Sequence, residues 1–436
     1  MRKAVPIAAL LAFAAVPFGA AQQPQQMLSK DDEWKISEIL RDARDEVKKH
    51  YYDPKLHEVD WDASYAKYSK MVTQARDLGA GFRIVAAFLE ELHDSHTYFV
   101  PPERMTRYEY GFRYAIVGND CFVTRVRPGT DAESKLHVGD QLLLWNGYNL
   151  NRDDFRDLRY YFNILAPQAA VQLDVRSPAG ESRKVIVKTL VRPGQRVADL
   201  TTSEGIYDII RRSENEDHAS RSQVVERGDV AIWKLPHFDA EFDEVRRNIG
   251  TARKHKALIL DLRGNSGGAV DTLKFVIGGL FDHDVTLGSR VARKETKPLI
   301  AKHWGDAFKG DLIVLVDSGS GSASELLARV VQLENRGKVV GDVSAGAVME
   351  AQYHEDSRGT NTKFFYGFMV TDANLMMKDG KSLEKIGVVP DEQSLPTAAD
   401  LAAGRDPVLA RAAELVGAKL DSAEAGKLFK FEWLPL

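Results

Sequence analysis

The spacing of hydrophobic positions changes twice along the chain and divides it into three regions. Up to about residue 93, apolar residues recur every three or four positions, which is the period of amphipathic helices. The first predicted helix begins near Asp31, with acidic residues in its first turn and Lys48-Lys49 in its last, as the helix dipole favours. Two further helical stretches run from about 61 to 76 and from about 82 to 92. This pattern predicts an N-terminal helical domain over residues 22–98.

From Gly111 to about Leu190 the pattern becomes one of short alternating runs, which is typical of strands with one buried face. Turn-forming pairs separate these runs, namely Pro128-Gly129, Gly139-Asp140 and Asn146-Gly147. The texture predicts a compact β-rich domain over residues 108–192. A polar stretch over 193–222 is interpreted as a linker.

From Gly228 onward, near-continuous apolar strands alternate with helical patterns. The predicted strands are 230–233, 257–262, 312–316 and 339–340, and the predicted helices are 270–281 and 323–333. Strands that are apolar on both faces indicate a largely parallel sheet covered by helices. Ligands of such sheets bind at the carboxyl ends of the strands. We therefore predict an α/β core over residues 223–398 and a C-terminal helical tail over 399–436.

The first residues have the pattern of a secretory signal peptide over residues 1–21. A cationic Met1-Arg2-Lys3 precedes an apolar run, and small residues stand at Gly19-Ala20-Ala21. Pro6 and Pro17 bracket a core too short for a membrane-spanning helix, and no later stretch reaches spanning length. The mature protein is predicted to be exported, periplasmic or secreted, with no integral membrane span.

Composition narrows the function classes. Of 436 residues, 44% are apolar and 28% charged, as in ordinary folded proteins. The 59 Lys and Arg residues are mixed with 63 Asp and Glu residues without a basic block, so no nucleic-acid partner is predicted. Cys121 is the single cysteine, which excludes an internal disulfide and a cysteine-based zinc cluster. His93 and His96 lack an accompanying ligand cluster, so neither a metal nor a cofactor is predicted; the oligomeric state is unknown.

Two strand-to-helix junctions carry serines that could be nucleophiles. After residue 316 the chain runs Asp317-Ser-Gly-Ser-Gly-Ser-Ala-Ser-Glu325, and Ser322 would lie beside the first N–H groups of the next helix. The structural alternative is a Ser/Gly loop in which Ser322 or Ser324 caps the helix. After residue 262, Gly264-Asn-Ser266-Gly-Gly268 fits the G-x-S-x-G nucleophile elbow of α/β-hydrolases. The residues alone leave these alternatives open.

Two other patterns are weaker evidence for catalytic residues. Ser382-Leu-Glu-Lys385 matches the S-x-x-K of penicillin-binding enzymes, but no K-T-G follows. His96 lies just past a helix end, where a hydrogen-bonded structural histidine is the alternative to a catalytic one.

Together these segments resemble the serine peptidase family that contains the carboxyl-terminal-processing proteases and the tricorn core protease. The matching segments are Leu92-His-Asp-Ser-His-Thr97, Leu260-Asp-Leu-Arg-Gly-Asn-Ser-Gly-Gly268, Ser322-Ala-Ser-Glu325 and Leu383-Glu-Lys-Ile-Gly-Val-Val-Pro-Asp391. The β-rich region is similar to a PDZ domain, with Val138-Gly-Asp-Gln-Leu-Leu-Leu-Trp-Asn-Gly147 as its most characteristic run. The resemblance implies an α/β multidomain fold whose peptidase core is crotonase-like, with ββα units. It also implies a peptide-binding loop at Gly111, Phe112, Arg113 and Tyr114.

The resemblance further implies the roles of individual residues. The first serine of Ser-Ala-Ser-Glu is the family's nucleophile, which corresponds to Ser322. The implied oxyanion hole consists of Gly267, Gly268 and Ala323. The processing proteases use a lysine as general base, but the corresponding position here is Ala347. The tricorn-like branch instead uses a Ser-His pair and a glutamate, which correspond to Ser95, His96 and Glu384, with Glu350 and Glu355 as other candidates for the glutamate.

The sequence therefore predicts an exported serine endopeptidase that forms an acyl-enzyme on Ser322, with His96 as general base and a peptide or protein as substrate. A serine without a neighbouring base is a poor nucleophile, so a Ser-Lys dyad on this motif is excluded. The alternative from another class is a non-catalytic protein that binds peptides or hydrophobic ligands on the same scaffold. An esterase using the same residues is a third hypothesis.

Overall fold

A computed structural model describes residues 28–102, 104, 106–193, 218–219, 221–358 and 364–434. The predicted signal peptide and most of the predicted linker lie outside these residues. Across the described ranges, every helix is too short or too polar to cross a lipid bilayer. The proposed domain limits remain predictions, and the elements below are given as the structure has them.

Helices and strands alternate in the second half of the chain, whereas the first half begins with three helices and continues mainly with strands. The helices are α1 Lys30–His50, α2 Trp61–Val72, α3 Leu78–Glu90, α4 Phe155–Tyr160, α5 Phe242–Ala252, α6 Val270–Leu280, α7 Ala323–Leu333, α8 Ala398–Ala402, α9 Pro407–Leu415 and α10 Ser422–Ala425. The first half of the strands are β1 Tyr98–Val100, β2 Thr106–Glu109, β3 Phe112–Val117, β4 Asp120–Val126, β5 Gln141–Trp145, β6 Tyr148–Asn149, β7 Ala170–Arg176, β8 Ser182–Lys188, β9 Leu190–Pro193 and β10 His218–Ala219. The remainder are β11 Gln223–Arg227, β12 Val230–Lys234, β13 Ala257–Asp261, β14 Val285–Ala292, β15 Thr296–Ala301, β16 Asp311–Val316, β17 Lys338–Gly341, β18 Met349–Arg358, β19 Phe364–Met377, β20 Glu392–Gln393 and β21 Glu432–Trp433.

Three amphipathic helices open the described chain, as the hydrophobic spacing predicts. Ser29 caps α1 by accepting from the Asp32 N–H, and the helix buries one stripe that includes Ile39 and Val47. Trp34, which the spacing places with the apolar residues, is 51% exposed. Asp77 caps α3, so this helix begins four residues earlier than the apolar pattern alone indicates.

The β-rich region forms an antiparallel sheet in the order β3-β4-β5-β7-β8. The helix α4 continues into a π-helical turn, Tyr161–Leu165, which the sequence pattern did not predict. Trp145 lies at the centre of this region and is 1% exposed, with Tyr110, Phe112 and Phe162 around it. Strand β3 is an edge strand of this sheet, with β4 as its only neighbour in the strand order.

The predicted parallel sheet is confirmed in the order β11-β12-β13-β16-β17-β20. Pairing is parallel from β12 to β20, and only the edge strand β11 is antiparallel. Alternate residues of the strands enter two separate clusters: Leu258 and Leu260 of β13 pack towards α5, α6 and α7, whereas Ile259 packs towards α9. Burial of both faces explains why these strands are apolar at nearly every position.

A second antiparallel sheet, in the order β1-β19-β14-β15 with β18 also paired to β19, was not predicted from the sequence. Its long antiparallel pair β18 and β19 has polar residues on much of one strand, so it lacks a clear period-two signal. Tyr98 of β1 pairs with Met369 of β19. This pairing anchors the segment that immediately follows α3 against the α/β core.

We expect Leu409→Ala to destabilise the protein by about 2–5 kcal/mol, because a buried leucine is replaced by a cavity. Leu409 is fully buried between α9 and the parallel sheet. Urea unfolding followed by circular dichroism measures the change, with the exposed Lys427→Ala as the matched control. A loss for Leu409→Ala no larger than that of the control would contradict the packing of α9 on the sheet.

Candidate active site

Ser322 occupies a strained turn between β16 and α7. Its backbone has φ 51° and ψ −115°, a conformation that non-glycine residues rarely adopt. Ser266 is not among the described non-glycine residues with positive φ, so the geometry of a nucleophile elbow is found at Ser322 and not at the G-x-S-x-G match. A Cβ on Gly267 would lie 2.7 Å from Ser322 Cβ, which explains why a glycine stands there.

Glu325 fixes this turn through hydrogen bonds to its side-chain carboxylate. Its buried carboxylate accepts hydrogen bonds from the N–H groups of Ser322, Gly346 and Ala347, at 3.0, 2.7 and 2.9 Å, and from Ser344 Oγ at 2.6 Å. Burial raises the pKa of Glu325 to about 7, and the four hydrogen bonds oppose this shift. The Ser322 N–H also points to the carbonyl of Ala347, at 2.9 Å. The loop 344–347 is therefore fixed against the Ser322 turn.

His96, Ser95 and Glu384 form a continuous chain of hydrogen bonds. Glu384 Oε1 accepts from the Ser95 N–H and Oε2 accepts from Ser95 Oγ, both at 2.8 Å. Ser95 Oγ lies 2.6 Å from His96 Nδ1. The hydroxyl has one proton and gives it to the carboxylate, so it accepts from the imidazole and His96 carries its proton on Nδ1. His96 Nε2 is then left with the lone pair that a general base needs.

Burial determines the charge of the imidazole. Desolvation lowers the pKa of His96 to about 4, although the nearby Asp94 carboxylate opposes this shift. Burial also raises the pKa of Glu384, whereas its hydrogen bonds from Ser95 and the Val348 N–H favour the ionised form. His96 is therefore neutral near pH 7 and can accept a proton.

Asp94 positions the histidine segment from within the protein. Its carboxylate is 3% exposed and accepts from the N–H groups of His96 and Thr97, at 2.8 and 2.6 Å. It also accepts from the hydroxyls of Thr97 and Thr371, both at 2.9 Å. Thr371 belongs to β19, so this network ties the turn after α3 to the second sheet.

Two adjacent residues of one loop connect Ser322 to the hydrogen-bonded chain of Glu384, Ser95 and His96. The carbonyl of Ala347 accepts from the Ser322 N–H at 2.9 Å, and the N–H of Val348 donates to Glu384 Oε2, also at 2.9 Å. Among the described residues, however, no hydrogen bond joins Ser322 Oγ to a ring nitrogen of His96. The structure thus gathers Ser322, Ser95, His96 and Glu384 around one loop without closing the contact between serine and imidazole.

The N–H groups beside Ser322 are of two kinds. The N–H of Gly267 donates to Asn265 Oδ1 at 2.8 Å and is therefore occupied. In the part of the chain that the structure describes, the N–H groups of Gly268 and Ala323 have no acceptor. Ala323 is the first residue of α7, where N–H groups lack a partner within the helix. Gly268 lies in a glycine turn with φ 140°. Gly268 and Ala323 are the donors available to an oxyanion, and Gly267 supplies the close backbone approach.

The remaining sequence candidates take other places. Ser382 Oγ lies 3.2 Å from Asn374 Oδ1, and Lys385 is exposed, so the S-x-x-K match does not form a dyad. Gly111 has φ 79° and its carbonyl accepts from the Arg127 N–H. Phe112 and Tyr114 pack against Trp145, and Arg113 lies over the ring of Phe431.

Sequence reasoning assigned no role to three supporting residues, namely Asp94, Asn265 and Glu325. Each lies next to a residue that it did single out. For Glu325 a signal was present, because Ser322 and Glu325 have the S-x-x-E spacing of a capping box. Asp94 and Asn265 each accept from an N–H group two residues further on, as in an Asx turn. Their contacts with Thr371 and with the carbonyl of Leu235 are long-range and have no local signal.

Comparison with known proteins shows which families the segments around this site are similar to. Residues 229–394 match the model of peptidase family S41, and residues 32–79 match the tricorn protease C1 domain. We refer to residues 229–394, the segment that matches this model, as the S41 domain. This domain contains Ser322, Glu384 and the glycine turn, whereas Ser95 and His96 come from the segment between the two matched regions.

Relatives extend the similarity beyond the S41 domain. The tail-specific protease of Haemophilus influenzae is 26% identical over 70% of this chain and 45% of its own length. A tricorn protease homologue of Streptomyces coelicolor is 26% identical over 86% of this chain and 32% of its own. The chain thus spans less than half the length of either relative. These names confirm the predicted resemblance to serine peptidases of the processing and tricorn groups.

A solved structure shows the same overall fold. The chain superposes on mature CPAF complexed with lactacystin with a TM-score of 0.62, at 15% identity, over 86% of this chain and 95% of that one. This likeness confirms a mixed α/β multidomain fold.

We expect Gly267→Ala to displace the Ser322 turn while the protein stays folded, and so to abolish the peptide hydrolysis that is proposed below. The new Cβ would meet Ser322 Cβ at 2.7 Å and the Ala323 nitrogen at 3.2 Å, so the nucleophile turn has to move. Gly264→Ala is the matched control, because Gly264 also has positive φ but has nothing within 4 Å of its added Cβ. Peptide hydrolysis and circular dichroism measure the two effects. Equal activity of the two variants would contradict the close packing of Gly267 on Ser322.

Proposed function

We propose that the protein is a serine endopeptidase that hydrolyses peptide bonds through an acyl-enzyme on Ser322. The observation that carries this proposal is the chain from the Glu384 carboxylate through Ser95 Oγ to His96 Nδ1. Such a chain fixes the tautomer of an imidazole so that its other nitrogen can accept a proton, as the carboxylate does in a Ser-His-Asp triad. The strained turn at Ser322 supplies a half-buried serine at the start of α7, in the junction that follows β16.

The reaction follows from these groups. Ser322 Oγ attacks the scissile carbonyl carbon while His96 Nε2 takes the hydroxyl proton. The carbonyl oxygen becomes negatively charged and accepts from the N–H groups of Gly268 and Ala323. His96 then gives its proton to the leaving amine, the peptide C–N bond breaks, and a water molecule hydrolyses the acyl-enzyme by the same steps. Substrate binding has to bring Ser322 and His96 into hydrogen-bond contact, a tightening that is common in catalytic sites.

The base is a histidine in this proposal because the position of the processing proteases' lysine is Ala347. Its N–H and carbonyl serve the turn instead, through Glu325 and Ser322. A neutral imidazole at pH 7 compensates for the missing amine, since a serine needs a neighbouring base to be nucleophilic.

The β-rich region, which we propose to be PDZ-like, would bind the substrate peptide as an added strand. Gly111 precedes its edge strand β3, and Phe112, Arg113 and Tyr114 are the first residues of that strand. Ser318, in the junction that leads to Ser322, donates through Oγ to the carbonyl of Ile116 in β3 at 2.6 Å. Asp342 accepts from Arg152 and from the Gly118 N–H, at 2.6 and 2.8 Å, and so joins this region to the α/β core, which we propose to be crotonase-like. A peptide held at β3 would lie near Ser322.

We also propose that residues 1–21 are removed on export, as their cationic and apolar pattern indicates. The substrate would then be a periplasmic or extracellular protein. The N-terminal sequence of protein purified from outside the cytoplasm tests this step, and an intact Met1 there would contradict it.

A non-catalytic binding protein is the second candidate function. It is favoured by one observation, the absence of a hydrogen bond between Ser322 Oγ and His96 among the described residues. A fluorophosphonate distinguishes the two candidates, because it reacts covalently with an activated serine and not with an ordinary one. Labelling of Ser322, located by peptide mass spectrometry, supports the peptidase; absence of labelling supports the binding protein.

We expect Ser322→Ala and His96→Ala each to lower kcat/KM for a peptide substrate by about 10⁴-fold or more, as removal of a triad residue does in serine peptidases. Ser266→Ala is the control and should keep most of the activity. Hydrolysis of casein or a fluorogenic peptide measures all three. Full hydrolytic activity of Ser322→Ala would contradict the proposal. Loss of activity in Ser266→Ala alone would indicate that the nucleophile is Ser266 of the G-x-S-x-G motif.

We expect the imidazole of His96 to titrate near pH 4, well below the ordinary 6.5, because burial disfavours its charged form more strongly than Asp94 favours it. NMR of the ring signals between pH 3 and 8 measures this, with the His96→Gln spectrum as the assignment control. A midpoint at or above the ordinary value would show that the imidazole is charged in a mildly acidic medium and is a poor base there.

A further inference from the structure

A second group of potential ligands lies far along the chain from the Ser322 site, where α1 packs on β18. The donor atoms are Glu46 Oε2 and His50 Nε2 from the helix and His354 Nδ1 from the strand, all within 4.8 Å of one another. Glu46 and His50 are four residues apart, so they share one face of α1. We propose that Glu46, His50 and His354 bind a zinc ion, or a divalent transition metal of similar ligand preference.

The distances between donors suit a tetrahedral ion. Glu46 Oε2 lies 3.4 Å from His50 Nε2 and 3.2 Å from His354 Nδ1. Zinc bonds to nitrogen and carboxylate oxygen of about 2.1 Å place neighbouring tetrahedral ligands about 3.4 Å apart. The two imidazoles are stacked with centroids 4.2 Å apart and planes inclined by 28°, so binding requires rotation of the rings about their Cβ–Cγ bonds.

The set of side chains is also chemically suitable. Two imidazoles and one carboxylate are a common protein ligand set for zinc, with water in the fourth position. The three side chains are between 19% and 31% exposed, so solvent can deliver the ion and supply the water. The site needs no cysteine, which is why the single Cys121 does not exclude it.

The bonding of His354 is incomplete within the described part of the chain. Its Nε2 is buried and has no hydrogen-bond partner there, and Glu46 is the partner of Nδ1. Nδ1 is therefore the nitrogen that His354 offers to the ion, and the buried Nε2 would carry the proton of the ring. A metal ion on this cluster would turn the crowded pair of imidazoles into ligands of one centre.

Such an ion would link two parts of the protein. The same face of α1 also carries Asp42, which accepts from Arg358 at 2.6 Å and from the Tyr366 hydroxyl at 2.5 Å. The helix is thus already attached to the pair β18 and β19 through its side chains. Zinc would add a strong crosslink between α1 and β18, the strand that begins directly after Val348 in the catalytic loop.

Metal binding by the full-length protein tests this inference without any measurement of hydrolysis. We expect one zinc ion per chain in isothermal titration calorimetry, and visible absorption bands of a tetrahedral site on titration with Co²⁺. The variants Glu46→Gln, His50→Gln and His354→Gln should each weaken zinc binding by more than about tenfold, since changes to outer-sphere residues alone reach that range. The exposed His283→Gln is the matched control and should bind zinc as the parent does.

Thermal unfolding provides the second readout. Zinc should raise the melting temperature of the parent and of His283→Gln, because an ion that binds only the folded state stabilises it. It should not do so in His354→Gln, and Ca²⁺ should have no such effect, since it prefers oxygen ligands. Circular dichroism confirms that each variant is folded, and Glu46→Gln preserves side-chain shape. Equal zinc affinity in the parent and the three variants, or no binding by the parent, would overturn the proposed site; either result leaves the peptidase proposal intact.

Discussion

The hydrogen bonds between Glu384 and Ser95 are the contact on which the candidate active site depends. These residues are 289 positions apart, and one carboxylate accepts from both the N–H and the hydroxyl of the serine. The contact determines where His96 lies, which nitrogen carries its proton, and how the segment after α3 meets the S41 domain. Without it, Ser95 and His96 would lose their direct link to Glu384, which the Val348 N–H in turn connects to the loop beside Ser322.

The rest of the fold fixes the positions of the two halves of this site, which are the segment with Ser95 and His96 and the turn at Ser322. Pairing of β1 with β19 places the histidine segment, and Asp94 attaches it to Thr371 of the same strand. On the other side, Glu325 fixes the loop 344–347 beneath Ser322, and the next residue, Val348, donates to Glu384. One short loop thus connects the turn at Ser322 to the hydrogen-bonded chain of Glu384, Ser95 and His96. Strain at Ser322 is maintained by its surroundings, as expected for a residue in a rarely populated backbone region.

The sequence could predict those elements whose signals are local. The helices α1 and α7 have clear hydrophobic periods, and the strands β13 and β16 are continuous apolar runs. Caps and glycines mark where these elements end. It also predicted the resemblance to tricorn-like peptidases, because Ser95-His96 and Ser322-Ala-Ser-Glu325 are short contiguous motifs. It could not predict the second sheet, whose strands pair across long separations, or the contact of Asp94 with Thr371, which lies on one of these strands. These depend on tertiary contacts that leave no periodic pattern.

The central claim is that Ser322, His96 and the N–H groups of Gly268 and Ala323 act together on one acyl group, with Ser322 bonding to its carbon and the two N–H groups binding its oxygen. The most direct measurement is a crystal structure of the protein after reaction with a peptidyl phosphonate. The account predicts a covalent bond to Ser322 Oγ, a phosphonyl oxygen within hydrogen-bond distance of both N–H groups, and the His96 ring turned towards the adduct. An adduct on Ser266, or one on Ser322 with its oxygen directed away from Gly268 and Ala323, would contradict it.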